Sequence, residues 1–228
     1  MALMSARNLS KVFGHGETSV RALDDISLDI SSCEVLGITG PSGAGKSTLL
    51  HILSTLDTPT GGQVTYKGAD LFDNNRTERA RLRRREFGFV FQFYNLVPVL
   101  TVEENIALPV LIDGKKPNSD YIDKLINLLG LESKRRTLPH KLSGGQQQRV
   151  AIGRALAAKP SIVFADEPTG NLDSNTTKEI VQVFLETASE FQLTLVIVTH
   201  DSYVASHCQR IVEIQDGNII SSGEDYGN

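Results

Sequence analysis

Gly40-Pro41-Ser42-Gly43-Ala44-Gly45-Lys46-Ser47 decides the reading of this chain. The octet fits G-x-x-x-x-G-K-[ST], the pattern of a phosphate-cradling P-loop. Its glycines let backbone N–H groups curl round phosphate oxygens with no Cβ in the way. Val35 to Thr39, just upstream, is a short apolar run that reads as a buried strand, and a helix is predicted from Lys46 to Leu56. Strand, glycine-rich loop and helix in that order form the context such a loop requires, and the positive end of the helix adds to its pull on an anion. Lys46 is expected to reach the β- and γ-phosphates of a nucleoside triphosphate, the Ser47 hydroxyl to bind Mg²⁺, and Thr48 to touch a further phosphate.

Two further stretches bear on the same chemistry. Leu142-Ser143-Gly144-Gly145-Gln146 lies about a hundred positions on. Ser143 and Gln146 have capping-box spacing, so a helix opens there and runs to about Ala158, ahead of Lys159-Pro160. A capping serine followed by two glycines exposes backbone N–H groups at a helix N-terminus, which is a second anion site, but one with no lysine beside it. Ile162-Val163-Phe164-Ala165-Asp166-Glu167 is an apolar strand ending in two acids. Such a strand buries its apolar residues and delivers Asp166 to the Mg²⁺ shell, while Glu167, one residue on, points elsewhere. By average residue usage a P-loop pattern arises by chance in roughly one chain of this length in a hundred, and Leu-Ser-Gly-Gly-Gln is about thirty times rarer.

The 228 residues suffice for one large domain or two small ones. With a formal net charge of -4, the composition gives no sign of nonspecific nucleic-acid binding. The longest apolar runs, such as Leu193 to Val198, are strand-length and short of a membrane span, and the N-terminus lacks the apolar stretch of a signal peptide. Cys33 and Cys208 are too few for a disulfide framework and lack metal-ligand spacing, so they read as free thiols in a reducing cytoplasm.

Elsewhere, Ile26, Leu28 and Ile30 alternate with polar residues as in a half-buried strand, and Gln63 to Lys67 follows a Thr60-Gly61-Gly62 turn as another. Asn74 to Glu86 reads as a polar helix, with six arginines between Arg76 and Arg85, and Phe87 to Phe91 as a buried strand. Thr101 and Glu104 form a capping box whose helix is expected to break before Pro109. Ser119 to Leu129 carries Ile122, Leu125, Ile126 and Leu129 on one face and stops at Gly130. Further on, a helix from Ser174 to about Glu190, a strand from Thr194 to Thr199, and a hairpin of 210–214 with 218–222 round Asp216-Gly217 complete an alternating βα pattern. One catalytic unit is expected over 1–228, an α/β core of about 1–94 and 159–228 bracketing a helical insert of about 95–158.

The order of these motifs resembles that of ATP-binding cassette (ABC) proteins over nearly the whole chain. The resemblance implies a P-loop NTPase core with an N-terminal antiparallel β subdomain and a helical insert. It implies ATP and Mg²⁺ as cofactors, bound by Gly40, Pro41, Ser42, Gly43, Ala44, Gly45, Lys46, Ser47 and Thr48. Glu167 matches the glutamate that polarises the attacking water, as a general base or by orienting it. Gln92 matches the Q-loop glutamine that senses Mg²⁺ and water, His200 the switch histidine on the γ-phosphate, and Asp173 the D-loop aspartate. Phe13 lies where the family stacks an aromatic, usually Tyr, on adenine. Ser143, Gly144, Gly145 and Gln146 would complete the ATP site of a second copy, two chains meeting head to tail round two ATP molecules.

Gly88 to Leu96, Leu142 to Arg154 and Phe164 to Ser174 look like one bacterial subgroup, the ATPases of lipoprotein-releasing, macrolide-efflux, haem-efflux, antimicrobial-peptide-resistance and cell-division systems. That implies integral membrane permease partners with four spans per subunit, a peripheral place on the cytoplasmic face of the cell membrane, and action by mechanotransmission. Phe93, Tyr94, Leu96, Val97, Val99 and Leu100 would line a groove for a partner's cytoplasmic helix. Two other readings are a soluble ABC ATPase acting on ribosomes or DNA, whose second cassette or coiled coil this chain lacks, and a regulatory ATPase that controls a membrane partner without transport. Two departures stand out. Cys33 occupies a turn where relatives commonly have Gly, and is strained if the turn needs φ > 0. Asn171 stands where many relatives have Ser or Ala, a change expected to matter little.

Overall fold

The computed structural model describes residues 2–14, 16–73 and 75–224; Asn74, with which the arginine-rich helix was expected to begin, lies outside them. In chain order the described residues form β1 (Met4–Phe13), β2 (Val20–Ile30), β3 (Val35–Thr39), α1 (Lys46–Leu53), β4 (Gly61–Tyr66), β5 (Ala69–Asp70), α2 (Arg76–Glu86), β6 (Phe87–Phe91), α3 (Val102–Ile112), α4 (Ser119–Leu128), α5 (Gly144–Leu156), β7 (Ile162–Asp166), α6 (Ser174–Phe191), β8 (Thr194–Val198), α7 (Ser202–Ala205), β9 (Arg210–Gln215) and β10 (Asn218–Glu224). They group into two compact units, the described residues of 2–83 with 194–224, and 84–193.

The first unit holds an antiparallel sheet in the order β2-β1-β4-β5 and a second set of strands in which β3 lies between β8 and β9, parallel to both, with β10 antiparallel on β9. Residues 35–38 and 194–198 are buried throughout, as parallel strands covered on both faces must be. α1 packs on β2 and β8 through Leu49, Leu50, Ile52 and Leu53, all 1% exposed or less. β1 escaped the sequence reading because it is irregular. Its pairing with β2 shifts register three times between Ala6 and Val12, and Asn8 has φ 47°. Each shift interrupts the alternation that marks a half-buried strand.

In the second unit β6 and β7 pair in parallel, and α5 packs against β6, α3, α4 and α6. Phe164 anchors this core, edge-on to Phe87 at 5.4 Å between ring centroids. Ile122, Leu125 and Ile126 are buried along one face of α4, as the spacing predicts. Both capping boxes form, Thr101 with Glu104 and Ser143 with Gln146. One expectation fails. α3 runs through Pro109 to Ile112. The proline removes only the N–H that would bond to the Asn105 carbonyl, while its own carbonyl accepts from the Asp113 N–H at 3.1 Å. Asp113, just past the helix, gathers Arg84, Arg85 and Lys115. Arg83 donates to the Thr55 carbonyl at 2.7 Å and Arg79 lies over the Phe72 ring. Much of the arginine run thus serves the fold.

Cys33 has φ 60°, the left-handed conformation its turn position suggested, and its N–H donates to Thr194 Oγ1 at 2.9 Å. A glycine there keeps that bond and removes the Cβ clash. Cys33→Gly is therefore expected to stabilise the protein by about 0.5–1 kcal/mol, the left-handed penalty less glycine's extra chain entropy. Urea unfolding of the two proteins checks it, and a lower midpoint for the variant counts against the strain.

Candidate functional site

The first unit carries the P-loop. Gly40, Gly43 and Gly45 have φ of 136°, 78° and 104°. A Cβ on Gly40 would strike the Ile214 carbonyl, and one on Gly45 the Ala22 carbonyl. These two positions admit glycine alone. Pro41, Ser42 and Gly43 form an exposed lip over buried Ala44. Gly45 caps α1 without a side-chain bond, and the first turn holds no acidic residue. The helix therefore offers its unpaired N–H groups and positive dipole end to an incoming anion. Lys46 is 8% exposed, and its Nζ donates to the Gly40 and Pro41 carbonyls, both at 2.9 Å. The ammonium is held across the mouth of the loop, where a polyphosphate would meet it. Ser47 and Thr48 follow on the first turn of α1, half-buried.

His200 stands at the same edge. Ile38 pairs with Val198 in parallel register, and the Thr199 N–H donates to the Ile38 carbonyl at 3.1 Å. Gly40 and His200 each lie two residues beyond that pair. His200 is exposed and lines a cavity of about 520 Å³ with Thr39, Asp201, Ser202 and Glu213. Phe13 is 45% exposed at the end of β1. Lys11 Nζ lies 4.8 Å from its ring centroid, held by an ion pair to Asp57 and a 2.7 Å bond to the Thr58 carbonyl. The ammonium occupies one side of the ring.

The second unit carries the remaining residues. β6 and β7 register Phe91 against Asp166, so Gln92 and Glu167 emerge side by side one residue later. Glu167 has φ 48°, which turns it out of the strand's alternation, and the Gly170 N–H donates to its carbonyl at 3.1 Å. A strained non-glycine backbone is the kind of outlier that collects at functional sites. Ser143 caps α5, accepting from the Gln146 N–H at 3.3 Å while Gln146 Oε1 accepts from the Ser143 N–H at 3.1 Å. Gly144 and Gly145 lack room for a side chain: a Cβ would meet Tyr94 Oη at 2.8 Å and Thr176 Cγ2 at 2.5 Å. Asp173 caps α6, accepting from the Asn175 and Thr176 N–H groups and the Thr176 hydroxyl. The hydroxyl bond, with the backbone bonds, holds its carboxyl below the usual range.

Hydroxyl, carboxylate and amide oxygens from Ser47, Asp166 and Gln92 are the hard donors Mg²⁺ prefers. Among the described residues no three His, Cys, Asp or Glu side chains gather into a metal cage.

Several partners of these residues were not readable from spacing. Gln148, fully buried on α5, donates from Nε2 to the Pro168 carbonyl at 2.6 Å, next to Glu167. Arg154 donates to the Tyr94 and Asn95 carbonyls, tying α5 to the segment after Gln92. Asn171, expected to matter little, bonds twice to Gln92. No motif signals these, because each depends on which loops the fold places together.

The family model described as ABC transporter matches residues 23–170. An ABC transporter ATP-binding protein of Methanocaldococcus jannaschii is 44% identical over 96% of this chain and 98% of its own length. The lipoprotein-releasing system ATP-binding protein LolD of Shewanella frigidimarina is 41% identical over 95% of this chain and 91% of its own. The macrolide export ATP-binding/permease protein MacB of Neisseria meningitidis is 45% identical over 97% of this chain, which spans 34% of that protein. A solved dimer of the ATP-binding cassette MJ0796, in a post-hydrolysis state with ADP and Pi, superposes with a TM-score of 0.88 at 38% identity, covering 99% of this chain and 100% of that one. This chain therefore belongs to the ABC transporter family, as an ATP-binding cassette that hydrolyses ATP with Mg²⁺ as its metal.

Proposed function

We propose that the chain is the ATPase subunit of a transport system. In this reading it forms a head-to-tail homodimer on the cytoplasmic face of the membrane and drives a four-span membrane partner by mechanotransmission. The whole of 1–228 acts as one nucleotide-binding domain, its core at about 1–94 and 159–228 and its helical insert at about 95–158. The substrate class is hydrophobic or amphipathic: a macrolide, lipoprotein, haem or antimicrobial peptide. The names of the MacB and LolD relatives support the first two. Among the described residues no helix is long and apolar enough to cross a membrane. Phe93 and Val99, 68% and 78% exposed, suit docking of a partner's helix.

One observation carries the dimer. The N-terminus of α5 is built as an anion site, with a capping serine and two glycines that neighbours keep bare, yet no basic residue stands among Leu142 to Gln148 to do what Lys46 does in the P-loop. Such a clamp is half a triphosphate site and needs a lysine-bearing loop from elsewhere. The P-loop of a second copy supplies one. The dimeric MJ0796 cassette supports the same reading.

ATP supplies the phosphoanhydride bond that is cleaved. The chain's own residues bind, orient and move protons round it. Lys46 and the P-loop N–H groups hold phosphate oxygens, Phe13 stacks on adenine, and Ser47, Asp166 and Gln92 face Mg²⁺. Glu167 Oε accepts a proton from the attacking water or orients it, His200 contacts the γ-phosphate, and Ser143 with the Gly144, Gly145 and Gln146 N–H groups closes the site from the partner chain. Asp173 touches the site from the D-loop.

Glu167→Gln keeps the shape and removes the base. It is expected to bind ATP normally, to lose about 10²-fold or more in turnover, and to accumulate dimers on a sizing column. Wild-type phosphate release from that variant removes Glu167 from its role. Lys46→Ala is expected to weaken ATP binding about tenfold to a hundredfold, the loss of a charge-assisted bond. Unchanged affinity by calorimetry contradicts the assignment of the loop.

A further inference from the structure

We propose that Asn171 fixes the orientation of the Gln92 side-chain amide, and so decides that an oxygen of Gln92 faces the metal. Asn171 is then a positioning residue. The inference rests on the reading that Gln92 acts toward Mg²⁺.

The main-chain carbonyl of Gln92 can only accept, and Asn171 Nδ2 donates to it at 3.0 Å. That bond sets the Asn171 amide: its nitrogen faces the Gln92 backbone, so its oxygen faces the other way. There Asn171 Oδ1 accepts from Gln92 Nε2 at 3.4 Å. The second amide is now set as well. If the Gln92 amide turned over, Oε1 would meet Asn171 Oδ1, two acceptors with no proton between them. Gln92 therefore keeps its nitrogen toward Asn171 and leaves Oε1 to the side away from it. Gly170 allows the approach, since a Cβ there would lie 2.9 Å from Gln92 Nε2.

The consequence is chemical. An amide oxygen is a hard ligand for Mg²⁺, and an amide nitrogen is not. With Ser or Ala at position 171 the two faces of the Gln92 amide are no longer told apart by this neighbour. Outer partners that orient a ligand in this way raise the metal affinity of a site. Asn171 also sits in the Gly170 to Asp173 turn that caps α6 and follows Glu167. The orientation of Gln92 is thereby tied to the turn after the catalytic glutamate.

The test measures metal binding rather than turnover. Mn²⁺ is titrated by electron paramagnetic resonance into the full chain loaded with a non-hydrolysable ATP analogue. Asn171→Ala and the similarly sized Asn171→Leu are both expected to bind Mn²⁺ about two- to tenfold more weakly, the worth of one ordinary hydrogen bond. Affinity for the analogue in EDTA and the melting temperature stay at wild-type values, since Asn171 is exposed. In a Gln92→Ala background the Asn171 substitutions have no further effect. Wild-type Mn²⁺ affinity in both Asn171 variants, with weakened affinity in Gln92→Ala, overturns the proposal and leaves Gln92 as a ligand. Wild-type affinity in Gln92→Ala overturns the reading of Gln92 itself, and the proposal with it.

Discussion

Two main-chain carbonyls, those of Ile214 and Ala22, press against Gly40 and Gly45, and the shape of the phosphate-binding loop follows from that contact. No residue with a Cβ fits at either place. The loop between them is consequently curled tightly enough to turn N–H groups inward and to begin α1 at Lys46 with its first turn uncapped by any side chain. Gly217 joins the same contact, its N–H donating to the Ala44 carbonyl at 3.0 Å while its carbonyl accepts from the Asp24 N–H. The loop is thus gripped from β2 and from the β9–β10 turn. Its shape is fixed by packing, so little reorganisation is needed when phosphate enters, and preorganised donors of this kind give electrostatic stabilisation its effect.

Strand register does for the other side chains what the glycines do for the loop. In the first unit the pairing of Ile38 with Val198 brings Gly40 and His200 to one edge. In the second, Phe91 against Asp166 does the same for Gln92 and Glu167. All four leave the carboxyl ends of parallel strands, where open α/β sheets bind their ligands. A one-residue slip in either pair would send these side chains to the opposite face.

The sequence was most legible where local chemistry and local structure coincide. The P-loop octet, the two capping boxes, the apolar strands 35–39, 87–91 and 162–166, and the face of α4 each carry their own signal, and each forms with bounds within a few residues of those expected. Reading failed where context overrides the local rule. Bulges hid β1. Pro109 sits inside α3 because losing a single N–H there does not stop the helix. A spacing pattern cannot show that the turn after Glu167 lies against Gln92, and nothing in a strand pattern says that the Lys11 ammonium covers Phe13. Arg79, Arg83, Arg84 and Arg85, which in the sequence read only as part of a polar helix, are largely engaged by Phe72, Thr55 and Asp113.

The account as a whole depends on a division of labour between chains: a cradle with a lysine and a clamp without one. The most direct measurement is a crystal structure of the hydrolysis-deficient protein grown with Mg·ATP. The account predicts a two-fold dimer in which each nucleotide is held by Lys46 of one protomer and by the Ser143 hydroxyl of the other, within hydrogen-bond distance of the γ-phosphate. A structure with Ser143 far from every triphosphate contradicts it.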